Sequence, residues 1–329
     1  MGEHGPAPAV LGLDEIRRLV DVPRLIHDIE NGFRLYSRGR VTVPPVGFLH
    51  FEEPPGDVHI KYGAVPGDEW WVLKVASAFY ANPGVGLPPS DGAILVFSQK
   101  TGALELVLHD RCWLTDMRTA AAGAVAARYL APSDVGCIGI IGTGVQARMQ
   151  LQLLRHVVDC GRCLVWGRNP AKVTAMTEEL RRSDWVRAWG LQVEPAPTLE
   201  ALAAECRLIV TTTAARAPLF AAELVRAGTH ITAMGSDDHG KQELDAALLG
   251  RADVVVADSR SQCVDHGECA PAVRDGHLSA SSIVELGEVI EDASRGRTHE
   301  DQITIADLTG VAIQDIQIAK MVAGAFLRG

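Results

Sequence analysis

Two hydrophobic rhythms divide the chain. From Asp21 onward the spacing is helical: Leu25, Ile29, Phe33 and Tyr36 share one face, and Asp21 with Pro23 reads as a helix start. Between 41 and 109 the pattern shortens to strand-like runs at 47–51, 58–62, 70–75 and 93–97. A turn around Lys100–Gly102 returns the chain as 104–108, which predicts a hairpin, and the Pro/Gly-rich 82–89 reads as a loop. An alanine-rich helix is expected over 115–130, stopped by Pro132. Helical and strand patterns then alternate to about 300, with strands expected before Gly142 and at 164–166, 208–212, 230–234 and 254–257. Ile303–Ile305 and a helix over 313–326 come last. Alternation of this kind predicts an α/β fold with a Rossmann-like doubly wound parallel sheet, joined to a smaller α+β region. The first ten residues, rich in Gly, Pro and Ala, are expected to be loosely attached.

Composition narrows the function classes. A net charge of −10 over 329 residues provides no basic field for nucleic acid or an anionic membrane surface. No run approaches the eighteen or so apolar residues of a membrane span, and the opening residues lack the features of a secretion signal. Pro6 stands where a myristoylation motif needs Ser or Thr. Seven scattered cysteines suit reduced thiols in the cytoplasm. Cys160 and Cys163 have no second pair at zinc spacing, so they read as small residues at a turn.

The candidate chemistry begins at Gly142-Thr-Gly144, where a buried strand meets a helix expected over 145–158. Gly142 permits a tight turn, Gly144 lets the backbone approach a diphosphate, and Ala147 fills the third position of the dinucleotide fingerprint. The next strand ends at Gly167, Arg168 and Asn169, where NAD-binding folds usually place an acid. Arg168 could instead meet a 2′-phosphate, so NADP(H) is favoured over NAD(H). Thr211–Thr213 ends a further strand on the same sheet edge; β-branched strand residues are the plain alternative there.

Five strings in order resemble the ornithine cyclodeaminase/mu-crystallin family. They are Lys74-Val-Ala-Ser77 with Tyr80-Ala-Asn-Pro83, then 114–122, 139–147, 235–244 and 309–315. The resemblance implies a split substrate and dimerisation domain, 1–118 with 308–329, and a nucleotide domain over 119–307. Substrate would lie in a cleft between the two. It also implies a homodimer and a small amino-acid or imino-acid substrate. Its cofactor set falls on Thr119, Gly142, Thr143, Gly144, Val145, Gln146, Ala147, Arg168, Asn169, Thr211, Thr212, Met234 and Gly235. Three activities are compatible with it: imine reduction or amino-acid dehydrogenation, ammonia-releasing cyclodeamination with internal cofactor recycling, and ligand binding without turnover.

Arg118 is expected to bind a substrate carboxylate through its guanidinium fork, near a helix start; a surface ion pair is its plain alternative. Lys74, inside an apolar run, would be costly to bury unless it served a partner or moved a proton; the alternative is an edge-strand lysine facing water. Lys61 is a second carboxylate candidate. Many relatives carry an arginine soon after the counterpart of Pro45, where this chain has Val46 and Gly47, and 306–310 departs from a Lys-Ser version. Asp237 matches the aspartate that acts on the substrate amine in cyclodeaminases. Its neighbour Asp238 reads as the cap of a following helix. His239, His266 and Glu268 have no supporting pattern.

Overall fold

Strand alternation and helix caps at the expected positions build two units, described here from a computed structural model that covers residues 7–328. One unit comprises residues up to Arg118 together with those from Val311 on; the other is Thr119–Gly310.

The first unit opens with β1 (Ala9–Gly12), α1 (Leu13–Leu19) and α2 (Val22–Ser37). Asp21 caps α2 by accepting from the Arg24 N–H, and Leu25, Ile29 and Phe33 are buried along one face. Then come β2 (Gly47–Phe51), β3 (Gly56–Ala64), β4 (Trp70–Phe79), β5 (Ser90–Ser98) and β6 (Leu104–His109). They form a sheet of order β1-β6-β5-β4-β3-β2, antiparallel except where β1 runs parallel to β6. This corrects the expectation of a loose opening segment. Residues 1–6 lie outside the described residues, but Ala9 and Val10 satisfy the edge of β6, and Leu11 is buried behind them.

Helix α3 (Trp113–Leu130) follows a turn in which Arg111 and Cys112 have φ values of 53° and 67°. Such left-handed geometry is unfavourable for residues with side chains. Asp110 stabilises it by accepting from the Leu114 N–H at 2.8 Å.

The second unit holds β7 (Ile138–Ile141), α4 (Val145–Leu154), β8 (Arg162–Trp166), α5 (Pro170–Arg182), α6 (Asp184–Trp189), β9 (Gln192–Pro195), α7 (Leu199–Glu205) and β10 (Leu208–Thr211). After these come β11 (His230–Ala233), α8 (Ala246–Arg251), β12 (Val254–Ala257), α9 (Arg260–His266), α10 (Cys269–Arg274), β13 (Val284–Glu285), α11 (Leu286–Glu291) and β14 (Thr304–Asp307). The sheet order is β13-β12-β14-β11-β10-β7-β8-β9, and every pairing is parallel. The inner strands β7, β10 and β12 are nearly uninterrupted apolar residues because both faces are covered. The order in which successive strands are added reverses between β7 and β10, the switch point where open α/β sheets hold ligands.

Two expectations here need correction. The helix after the glycine turn stops at Leu154, with Arg155 as its cap and single turns through Val157, instead of reaching 158. No helix starts at Asp238: its carboxylate accepts from the adjacent His239 N–H, and its carbonyl closes a turn with the Lys241 N–H. The next helix is capped by Asp245.

The last helix, α12 (Ala312–Arg328), returns to the first unit and packs on α2, β3, β4 and β5. Among the described residues no helix is long and apolar enough to cross a membrane.

Candidate active site

In β4 the alternate residues Trp70, Val72 and Lys74 face inward, so the lysine continues an apolar stripe. Since β4 lies between β3 and β5, Lys74 is not on an edge, and only 2% of it is exposed. Its register partners are Lys61 on β3 and Ile94 on β5. Two lysines directly opposite each other repel. Asp315, in the first turn of α12, offsets this: Lys74 Nζ donates to Asp315 Oδ1 at 2.9 Å.

Arg118 on α3 converges on the same oxygen, with Nε 3.1 Å from Asp315 Oδ1, and its Nη1 donates to Gln314 Oε1 at 2.7 Å. Asp315 Oδ2 has no hydrogen-bond partner among the described residues. Burial pushes the Lys74 pKa down, and Arg118 adds to that, while Asp315 opposes it. Burial resists ionisation of Asp315, yet the charges of Arg118, Lys74 and Lys61 hold its carboxyl below the usual range. Arg118 therefore acts on both partners in consistent directions. The cluster carries more positive than negative charge.

In the second unit Gly142 has φ 130°, and a Cβ there would sit 2.3 Å from Thr212 Oγ1. At Gly144 a Cβ would meet nothing within 4 Å, and this residue begins α4 with no side-chain cap. The N–H groups of α4 thus open onto free space, as a diphosphate requires. Arg148, one turn into α4, donates from Nη1 to the carbonyls of Thr143 (2.7 Å) and Gly144 (3.1 Å) and pairs with Glu179. The turn is braced from behind. Its Arg148 brace was not legible as such in the sequence.

A groove at the switch point is lined by Gly142, Thr143, Gly167, Arg168, Asn169 and Thr212, with Lys172 and Thr213 beside them. Asn169 also caps α5, its side chain accepting from the Ala171 and Lys172 N–H groups. Val145 is exposed, Ala147 is fully buried, and Gln146 accepts from Gln150. Thr119 is half-buried, and its carbonyl accepts from Gln150 at 3.1 Å. Thr211 is fully buried, and its hydroxyl donates to Glu243 at 2.7 Å. Met234 is buried, its N–H bonded to the Thr211 carbonyl. Gly235 donates to Glu243 at 2.8 Å in a space so tight that a Cβ would lie 2.1 Å from the Thr213 carbonyl oxygen.

Asp237 stands in the turn after β11, about half exposed, with Oδ1 2.5 Å from Lys241 Nζ. Behind that turn is a set of buried carboxylates that sequence patterns did not single out. Glu243 accepts from Thr211, Thr213 and Gly235, tying the ends of β10 and β11 together. Glu268 accepts from the N–H groups of Glu243 and Leu244, and Asp307 from that of Cys269. Burial raises the Glu268 pKa to about 8 and that of Asp307 to about 7. All seven cysteines are free thiols.

The parallel sheet, the glycine turn at its switch point and the open start of α4 define a dinucleotide-binding protein. The sequence profile of the ornithine cyclodeaminase/mu-crystallin family matches residues 7–329, and the chain belongs to that family. It is 38% identical to a Sinorhizobium fredii protein named an uncharacterised cyclodeaminase, over 96% of this chain and 95% of that one. Its fold is similar to an archaeal alanine dehydrogenase dimer with bound NAD (TM-score 0.88, 34% identity, 98% and 96% of the two chains). It is also similar to the Δ1-pyrroline-2-carboxylate reductase of Thermococcus litoralis in complex with NADH and L-proline (TM-score 0.89, 27% identity, 97% and 98%). The chain is an enzyme, a nicotinamide-dependent oxidoreductase of this family.

Proposed function

We propose that this enzyme interconverts a small α-amino acid and its α-imino acid by hydride transfer. One observation carries this reading: Lys74 and Arg118, both nearly sealed from water, share one oxygen of a single buried carboxylate, Asp315. Buried charges need compensation, and this cluster has surplus positive charge that a substrate carboxylate would neutralise. Arg118 and Lys61, with Lys74, hold that carboxylate. Lys74 Nζ, its hold on a proton weakened by burial, takes a proton from the substrate ammonium before oxidation to the iminium and returns it to the amine formed on reduction. When bound, the nicotinamide accepts or donates the hydride, with its two electrons, at the substrate α-carbon. Gly142, Thr143 and Gly144 seat the diphosphate, and Arg168 with Lys172 favours the 2′-phosphate of NADP(H) over NAD(H). The proteins with solved structures named above carry NAD or NADH.

Asp237 keeps a second reading open. In a cyclodeaminase the substrate's own side-chain amine attacks the imine, ammonia leaves, and the hydride returns. Incubation with alanine, ornithine, lysine or a cyclic imino acid separates the two. A net change in nicotinamide absorbance supports the dehydrogenase or reductase. Ammonia and a cyclic amino acid without net absorbance change would replace it by cyclodeamination. Asp237→Asn should abolish turnover and leave cofactor affinity nearly unchanged; full activity in that variant removes Asp237 from the chemistry.

The first unit is the substrate and dimerisation region in this reading. Phe48, Leu49 and Phe51 are exposed on β2, the outer strand of its sheet, and a second copy would cover them. Sedimentation should give a homodimer, and a monomer at micromolar concentration would reject it. The free thiols fit a reducing compartment, the cytoplasm.

A further inference from the structure

Outside the groove, the cation cluster and the buried carboxylates, His239, Asp265 and His266 converge without a role in the proposed reaction. His239 lies in the turn that also bears Asp237, and Asp265 and His266 end α9. His239 Nε2 is 3.5 Å from Asp265 Oδ2, and His266 Nδ1 is 3.0 Å from the same oxygen. One nitrogen from each ring and a carboxylate oxygen all lie within 4.8 Å of one another. The two rings are 5.4 Å apart at 61°.

We propose that His239, Asp265 and His266 form a binding site for a divalent transition-metal ion of the zinc type. Two imidazoles and a carboxylate are a donor set for zinc and its neighbours, and a poor one for magnesium or calcium, which prefer oxygen. Zinc–ligand bonds of about 2.0–2.1 Å at tetrahedral angles place neighbouring ligand atoms about 3.3 Å apart. The distances of 3.0 and 3.5 Å bracket that edge. Two rings aimed at one oxygen can each be satisfied by a proton, but a cation between them satisfies all three groups together. Water takes the fourth position, since His239 and Asp265 are exposed. His266, with 18% of its side chain exposed, is the anchored ligand.

The ion would bridge the turn at 236–241 to the end of α9. Asp237 is two residues from His239, so metal binding restrains the segment that carries the proposed acid/base group. This goes beyond the oxidoreductase reading and does not depend on it.

The test uses the full-length protein, freed of metal by chelation, and zinc ion alone in competition with a chromophoric indicator. One equivalent should bind, and His239→Ala or His266→Ala should each weaken binding roughly tenfold or more. Cobalt ion should give a spectrum without sulfur-to-metal charge transfer, which separates this site from the partly exposed thiol of Cys112. Amide hydrogen exchange across 236–241 should slow when zinc is added. Unchanged affinity in both variants, a thiolate spectrum, or no saturable binding would overturn the proposal. Nicotinamide absorbance in metal-free buffer tests the redox reading separately, so either can fail alone.

Discussion

Lys74 Nζ and Asp315 Oδ1 are 2.9 Å apart although 241 positions separate the two residues in the chain. The pair is buried on both sides, and Arg118 shares it. An interior ion pair of this kind tolerates loss of one member badly, because the remaining charge has no water to turn to.

Asp315→Asn should therefore destabilise the protein by about 3 kcal/mol or more. Asp315 is what raises the Lys74 pKa, so removing it lowers that pKa further. If Lys74 moves the substrate proton, the corresponding limb of the pH–rate profile shifts toward acid. Urea denaturation and a pH–rate profile check both parts. An unshifted limb would take Lys74 out of proton transfer, and an unchanged denaturation midpoint would contradict the buried pair.

The two glycines of the turn should respond differently to alanine. Gly142→Ala forces a side chain into φ 130° and onto Thr212, so both stability and cofactor affinity should fall. Gly144→Ala meets no atom within 4 Å, so thermal stability should stay within about 0.5 kcal/mol of the parent. Its cofactor affinity should nevertheless drop, because the added methyl occupies the space a diphosphate needs. Calorimetric melting and cofactor titration read the two effects; equal cofactor binding in Gly144→Ala would move the diphosphate elsewhere.

Arg168→Ala should weaken NADP(H) binding roughly 10–100-fold, the worth of a charge-assisted contact, and leave NAD(H) within a few-fold. Direct titration of both cofactors decides it. Equal losses for the two, or tighter NADH binding by the parent, would reject a 2′-phosphate contact.

Glu268 and Asp307 should contribute stability that falls as pH rises between about 5 and 9, opposed by His230 and Lys74, whose pKa values burial lowers. Glu268 and Asp307 have folded pKa values raised to about 8 and about 7. At these two carboxyls the folded state holds more protons than the unfolded chain in that window, and their contribution, complete at lower pH, is lost as each ionises. Asp315, with its lowered pKa, acts in the opposite sense, but only at more acidic pH. Glu268→Gln should flatten the alkaline decline in thermal midpoint. A slope identical to the parent's would exclude Glu268 as a source.

What the sequence made legible was local. Gly142 and Gly144 stand between an apolar strand and a helix, and the demand for glycine is set within a few residues. Lys74 was visible as a lone charge in an apolar run. Asp315 carries the same signal, an acid within the apolar stretch that becomes α12, but nothing local links the two. Pairing across 241 positions leaves no trace in periodicity. Glu243 was hidden for a related reason: its hydrogen-bond donors come from the ends of two different strands. Asp238 closes a turn where its pattern predicts a helix cap, because a short polar acid before mixed residues suits either.

The first unit is discontinuous in sequence, and its closing helix follows the whole second unit along the chain. On the ribosome, the whole Rossmann-like unit emerges before Asp315 does, and domains generally fold as they become available. Nucleotide-binding competence can thus be acquired while Lys74 and Arg118 still await their counter-charge. The buried ion pair is completed only after the entire second unit has been synthesised.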